Sequence, residues 1–444
     1  MVIGNPPYIQ LQKAIDHKCK HADLYKDQNF KTFVRPGDIY CLFYEKGISL
    51  LKKDGLLCYI TSNKWMRAGY GEKLRKFFLQ YNPKILIDLG PNVFQNTTVD
   101  TNIFIIQKTE NQHQLCAVTI TENKKNNLNL ADLLKRNSLI ISNLTSDAWF
   151  IGSDAEQRLK EKIEHIGKPL KDWDVNIYRG VLTGLNEAFI IDSAKRKEIL
   201  NNCLDEEERR RTEAIIKPIL RGRDIKRYYY EWAGLWVIGT FPALKLNIED
   251  YPALKKYFLD HFDIRQLEQS GKKYPELGFN ARKKTTNKWF EVQDTIAYYP
   301  EFEKEKIVWA ETDQSLNTVI VPKNYYLQKT CFMIIPKDEN IIKILNALLN
   351  SKISQWYIRN KSSLLGEKGM SLTKESVKEI PLPRITSSNE SIVQQVENLV
   401  DQILVAKKTD ATADTSALEH EIDRLVYQLY NLTEEEIKII EGEK

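Results

Sequence analysis

What the chain lacks narrows its class before any motif is read. Its six cysteines, at positions 19, 41, 58, 116, 203 and 331, show no paired spacing, which suits reduced thiols in a cytoplasm and argues against a disulfide framework. Nowhere do eighteen apolar residues run together, and no signal peptide with a cleavage site is present, so neither a membrane nor an export reading holds. Charge of one sign is not in excess. The net charge is +5 with 28% charged residues, so any basic surface must be local. His17-Lys18-Cys19-Lys20-His21 has no second ligand cluster and reads as a solvated loop, not a zinc site, so no metal is expected. Glycine is scarce near the start: before residue 40 there are only Gly4 and Gly37. At 444 residues the chain is long enough for two or three domains.

What is present begins with Asn5-Pro6-Pro7-Tyr8, directly after the short apolar Val2-Ile3. A planar exocyclic amine such as that of adenine is conjugated with its ring and is a poor nucleophile. The Asn5 side-chain oxygen and the Pro6 carbonyl are two acceptors for its two hydrogens, and they would draw the nitrogen toward tetrahedral geometry. Pro6 and Pro7 fix the turn so that both acceptors face one cleft, and Tyr8 offers a face for a base. The alternative is a tight proline turn after a strand.

The order of elements that follows weighs against that alternative. Asp38-Ile39-Tyr40 opens an amphipathic helix pattern to Asp54, ended by Gly55. Leu56 to Ile60 reads as a buried strand, Gly71 to Gln80 as a short helix, and Lys84 to Leu89 as another strand. Asn92-Val93-Phe94-Gln95 is a loop before a strand over Thr101 to Gln107. Strands alternating with helices predict a doubly wound parallel α/β sheet. This order resembles the DNA adenine methyltransferases of the TaqI type, and most nearly the fused restriction–modification (type IIG) enzymes of bacteria. The resemblance covers nearly the whole chain and implies a partial class I methyltransferase (Rossmann-like) sheet. It also implies that Asn5 and the Pro6 carbonyl bind the target amine, that Tyr8 stacks on a flipped adenine, and that Phe94 contacts the base. A loop anchor is the alternative role for Phe94.

Methyl transfer in that family comes from S-adenosylmethionine, held by a glycine-rich turn and an acidic residue upstream of the pocket motif. Four residues precede Asn5 here, so that half is expected to be absent, supplied by a missing N-terminal methyltransferase and nuclease portion or by a second chain. The strand at Met1 to Gly4 is then expected at an open sheet edge.

Residues 1–108 are thus expected to form the pocket half of the catalytic domain, and 109–150 a connection with added strands such as Cys116 to Ile120. Residues 151–385 would form an α+β target-recognition domain, and 386–444 a C-terminal helical hairpin. In the third segment Arg221, Arg223, Lys226 and Arg227, with only Asp224 to neutralise them, suit double-stranded DNA, chiefly its phosphates. Lys272, Lys273, Arg282, Lys283 and Lys284 form a second candidate patch beside Trp289 and Phe290. Arg209-Arg210-Arg211 follow Asp205, Glu206 and Glu207 by four residues each and are expected to pair on a solvated face. The nearest nuclease-like pattern, Asp100 with Glu122 and Lys124, reads as chance. The function expected is sequence-specific DNA binding and adenine methylation by base flipping in the cytoplasm. A non-catalytic DNA specificity module and a protein glutamine methyltransferase, which uses the same four-residue motif, are the alternatives.

Overall fold

The computed structural model describes the chain except for residues 17–18, 91–92, 95–98, 121–128, 363–368 and 443–444 and the side chains at 16 and 19. Contacts divide it into one unit of Met1–His165, Trp356–Ser371 and Thr433–Lys444 and another of Ile166–Gln355 and Leu372–Leu432. The segment expected as 386–444 is therefore shared between the two.

The first unit is built on a six-stranded sheet in the order β1-β2-β4-β3-β5-β6. The strands are β1 (Val2–Gly4), β2 (Leu56–Ser62), β3 (Asn82–Gly90), β4 (Thr101–Gln107), β5 (Leu115–Thr119) and β6 (Leu139–Ile141). The last two lie in the expected connecting segment, yet they extend the same sheet. Each face carries its own apolar layer, as a doubly wound sheet requires. On one face, helix α1 (Tyr40–Ser49) buries Tyr40, Tyr44 and Ile48 with Trp65, Phe78, Phe104 and Trp149. On the other, Ile87, Leu89, Val118 and Ile120 pack with leucines of α3 (Leu130–Asn137), a helix that comes after α2 (Glu72–Phe78) in the chain.

The sheet is mixed, where the sequence pattern predicts a parallel one. Strand β1 runs parallel to β2, and β3 parallel to β5. But β4 is antiparallel to both β2 and β3. Only residues 91–100 separate β3 from β4, fewer than the dozen or more that a parallel crossover needs.

The turn after β2 is held by a buried arginine. Arg75 donates to the carbonyls of Trp65, Ala68 and Ser146, and burial pushes its guanidinium down to about 10. A Cβ on Gly71 would lie 2.0 Å from the Trp65 carbonyl oxygen, so the turn can close on Arg75 only with glycine there.

The second unit has two four-stranded sheets. One pairs β7 (Val175–Arg179), β14 (Cys331–Pro336), β11 (Lys306–Ala310) and β12 (Thr318–Val321), all antiparallel. The other orders β8 (Ile190–Asp192), β10 (Leu235–Ile238), β9 (Ile216–Leu220) and β13 (Tyr326–Leu327), the last pair parallel. Helix α4 (Glu206–Ile215) precedes β9, and α5 (Ile342–Asn350) packs on α6 (Glu390–Thr409), which packs on α7 (Ser416–Leu429). Two asparagines of α5 lock it to β12: Asn350 exchanges hydrogen bonds of 2.9 Å with the Thr318 backbone, and Asn346 Oδ1 accepts from Thr318 Oγ1 at 2.9 Å.

At the start of β11, Lys306 is fully buried and donates from Nζ to the carbonyls of Phe302, Lys304 and Pro322. Burial pushes its amine down to about 7, opposed by the charges of Glu303 and Glu305. An unfolded lysine titrates near 10.4, so between these values the unfolded chain binds the extra proton and stability rises with pH. Denaturant unfolding from pH 7 to 10 should show the wild type gaining up to about 4 kcal/mol relative to Lys306→Met. Parallel pH curves for the two proteins would contradict this.

Candidate active site and nucleic-acid interface

Strand directions place the pocket motif. Because β4 runs opposite to its neighbours, the carboxyl ends of β1, β2, β3 and β5 all meet one edge of the sheet. Open α/β sheets bind ligands outside that edge. Asn5 to Tyr8 leave β1 there, Asn63 leaves β2, and Phe94 lies in the connection leaving β3. Three strand spacings separate β1 from β3, roughly 14 Å. The strand at Val2–Gly4 is an outer strand of this sheet, with Met1 and Ile3 exposed.

Pro6 is buried and Pro7 exposed, so the turn is anchored on one side. Asn5 is exposed, and among the described residues its carboxamide has no hydrogen-bond partner. Tyr8 is half-buried against the aromatic core, its ring centroid 6.2 Å from that of Tyr40 with the planes near perpendicular, and its hydroxyl donates to the Ile60 carbonyl at 3.3 Å. Burial, then the charge of Asp38, pushes the Tyr8 phenol up to about 12, so it stays protonated as a neutral platform. Behind it the Tyr40 and Tyr70 hydroxyls share a 2.7 Å hydrogen bond.

Sequence reasoning missed the polar groups that hold this edge. Buried Asp88 accepts from Asn63 Nδ2 at 2.9 Å and from the Gly90 amide at 3.2 Å, with Arg67 3.7 Å away. Gly90 has φ +64°, a turn that glycine adopts without strain. Asp88 thereby fixes the start of the connection carrying Phe94, which is half-buried. A carboxylate inside the apolar run Ile85-Leu86-Ile87-Asp88-Leu89 was the available signal, since buried charge persists only when bonded. Gln95, Glu122 and Lys124 lie outside the described residues, as does His17. Among the described residues no group of three or more His, Cys, Asp or Glu could hold a metal, and no helix is long and apolar enough to cross a membrane.

The basic residues of the second unit divide by what they touch. Arg221 forks onto buried Asp224, Nη2 to Oδ1 at 2.7 Å, while the same carboxylate accepts the Arg221 amide. Arg227 is a correction: Asp224 is not the sole neutralising group, because Glu419 of α7 pairs with Arg227, which also donates to the Asn350 carbonyl. Arg282 is a second correction. It is buried, donates to the carbonyls of Leu267, Thr183, Glu291 and Trp289, and lies over the Phe189 ring. Burial pushes it down to about 10. Phe290 beside it is core.

Arg223, Lys283 and Lys284 remain exposed, and Lys226 is half-buried. Among the described residues none of these four has an ion pair. Arg223 and Lys226 line a cleft of about 380 Å³ with Glu311, Asp313 and Gln328. In the triplet, Arg211 pairs with Glu207 at 2.8 Å, the expected spacing of four.

A mixed α/β sheet with this turn at its carboxyl edge and a second unit of two four-stranded sheets are the two parts that comparison with known proteins addresses. Residues 1–94 match the Eco57I restriction-modification methylase family and residues 217–382 the TaqI-like C-terminal specificity domain. Over 99% of its length the chain is 24% identical to the type II methyltransferase M.BstVI of Geobacillus stearothermophilus, spanning 74% of that protein. Over 43% of its length it is 29% identical to the type II restriction enzyme and methyltransferase RM.Eco57I of Escherichia coli, spanning 19% of it. The fold is similar across 99% of the chain to the type IIL restriction-modification enzyme MmeI, solved with DNA, at TM-score 0.60 and 12% identity, spanning 56% of that chain.

Arg282→Met removes a donor from four carbonyls, of which those of Thr183 and Glu291 keep a second one, and should cost about 3 kcal/mol in urea unfolding; Lys283→Met should stay within about 0.5 kcal/mol. Equal losses would return both residues to one class.

Proposed function

We propose that this chain carries the base-binding and target-recognition parts of a DNA adenine methyltransferase that methylates the exocyclic amine of a base swung out of the duplex. One observation carries the reading: an exposed, uncommitted Asn5 carboxamide stands beside an anchored Pro6 at the carboxyl edge of the sheet, next to a neutral, backed Tyr8. Asn5 Oδ1 and the Pro6 carbonyl accept the two amine hydrogens, and the nitrogen lone pair is freed from the ring as the amine bends toward tetrahedral. Tyr8 stacks on the base and repays part of the few kcal/mol of unstacking. Phe94 closes the opposite side of the pocket. The amine loses its proton after attack, so no strong base is needed. The restriction–modification relatives and the TaqI-like domain favour DNA over a protein amide as the substrate.

S-adenosylmethionine is the methyl donor implied, and neither glycine before residue 40 offers it an open backbone. A cofactor turn needs glycines whose backbone is open to the ligand. A Cβ on Gly4 would sit 3.2 Å from the Tyr59 ring, and one on Gly37 2.8 Å from the Val34 carbonyl, so both glycines are taken up by packing. The outer side of β1, where Met1 and Ile3 are exposed, is where further polypeptide bearing that site would pair. This same observation favours a second reading, a specificity module that becomes catalytic only with that polypeptide.

Asn5→Ala should abolish methyl transfer to a random-sequence duplex in the reconstituted enzyme while DNA affinity stays within about twofold; surviving transfer would remove Asn5 as the amine acceptor. Calorimetric titration of the chain with S-adenosylmethionine separates the two readings, and saturable binding would refute the second. For DNA binding, replacing Arg223, Lys283 and Lys284 together by alanine should lower the salt slope by roughly 1 for each phosphate no longer neutralised. Arg227→Ala should leave the slope unchanged.

A further inference from the structure

Asp38 is a buried carboxylate beside the pocket that the reading above does not use. Its relative exposure is 9%, and Oδ1 accepts the Ile9 amide at 2.8 Å. The amides of Ile39 and Tyr40, at the amino end of α1, lie close enough to favour its ionised form. Around this carboxylate the chain after Tyr8 is laced to the chain before α1: Ile39 N donates to the Ile9 carbonyl at 2.9 Å, and Leu11 N to the Gly37 carbonyl at 3.0 Å. A carboxylate kept out of water is costly unless its oxygens are bonded, and here the Ile9 amide bonds Oδ1. Burial raises the carboxyl, and those three amides and Lys64 pull it back toward ionisation.

The other restraint on Tyr8 is weak. Its hydroxyl reaches the Ile60 carbonyl at 3.3 Å, longer than the ~2.7 Å usual for such bonds. The ring plane is then set from the backbone end, by what fixes Ile9, together with the near-perpendicular contact with Tyr40.

We propose that Asp38 is a positioning residue of the base pocket: its carboxylate holds the Ile9 amide against the amino end of α1 and so sets the plane of the Tyr8 ring on which the base stacks. This rests on the pocket reading and adds what orients it. Asp38 does not touch the base, so its loss acts on the stacked state and spares DNA affinity, which resides elsewhere in the chain.

The test uses the full chain and a duplex with 2-aminopurine opposite an abasic site, where the base leaves the stack readily. Fluorescence at saturation reports stacking in the pocket, anisotropy of the same duplex reports affinity, and circular dichroism with thermal midpoints reports folding. Asp38→Ala should lose most of the fluorescence change at an affinity within about twofold. Asp38→Asn keeps an acceptor in place and should recover most of it. Asp38→Glu keeps the charge but moves the oxygens by one methylene, and should behave like alanine. If the alanine variant fails to fold, the asparagine–glutamate pair decides alone. No response from the wild type, or an equal response from Tyr8→Ala, overturns the pocket reading and this inference with it. A response lost in Tyr8→Ala but kept in Asp38→Glu, or lost in Asp38→Asn, overturns the inference alone.

Discussion

The backbone ladder that inserts β4 between β2 and β3 is the constraint on which the candidate site depends. Seven residues of β4 pair with β2 in continuous register, from Leu56 opposite Gln107 to Ser62 opposite Thr101. With β4 reversed, β1, β2 and β3 deliver their carboxyl ends to one edge of the sheet. A parallel β4 would have needed a crossover helix over one face, displacing part of the aromatic layer around Phe104. The same ladder keeps Asn63 within reach of Asp88, so the local polar bonds depend on it as well. Side chains at this edge act together because strand order, not sequence proximity, collects them.

Internal satisfaction decides which charges are available to a ligand. In the second unit the basic residues are dense, yet Arg221, Arg227 and Arg282 are engaged by Asp224, by Glu419 and by four backbone carbonyls. Arginine suits that work because its planar fork presents several donors at fixed angles. Lysine at 283 and 284, with one flexible ammonium each, is left to solvent. Net charge therefore overstates the footprint that any polyanion would meet.

Local features were legible in the sequence. The strand over Thr101 to Gln107 is present with the bounds its alternation gave, the turn at Asn5 follows a strand as Val2-Ile3 implied, and Arg211 meets Glu207 one helical turn away. What failed to show were pairings set by distant chain. Glu419 lies 192 residues from Arg227, and nothing near Arg227 announces it. Arg282 looks like its neighbours Lys283 and Lys284 in composition, and only the fold turns it inward. The antiparallel direction of β4 was implicit in the short 91–100 connection but was obscured by the helix–strand alternation before it. Asp38 stood in plain view as the residue before a helix pattern, but nothing near it in sequence announces its bond to Ile9.

The division of labour among the arginines and lysines of the second unit bears on how such a protein changes over generations. The charges that clamp the fold point inward and answer to backbone, so drift at those positions is checked by stability. Arg223, Lys283 and Lys284 have no ion pair among the described residues, so replacing them costs the scaffold little. A lineage can therefore rewrite the outward-facing residues around the Arg223 cleft step by step, sampling new binding preferences without first passing through an unfolded intermediate sequence.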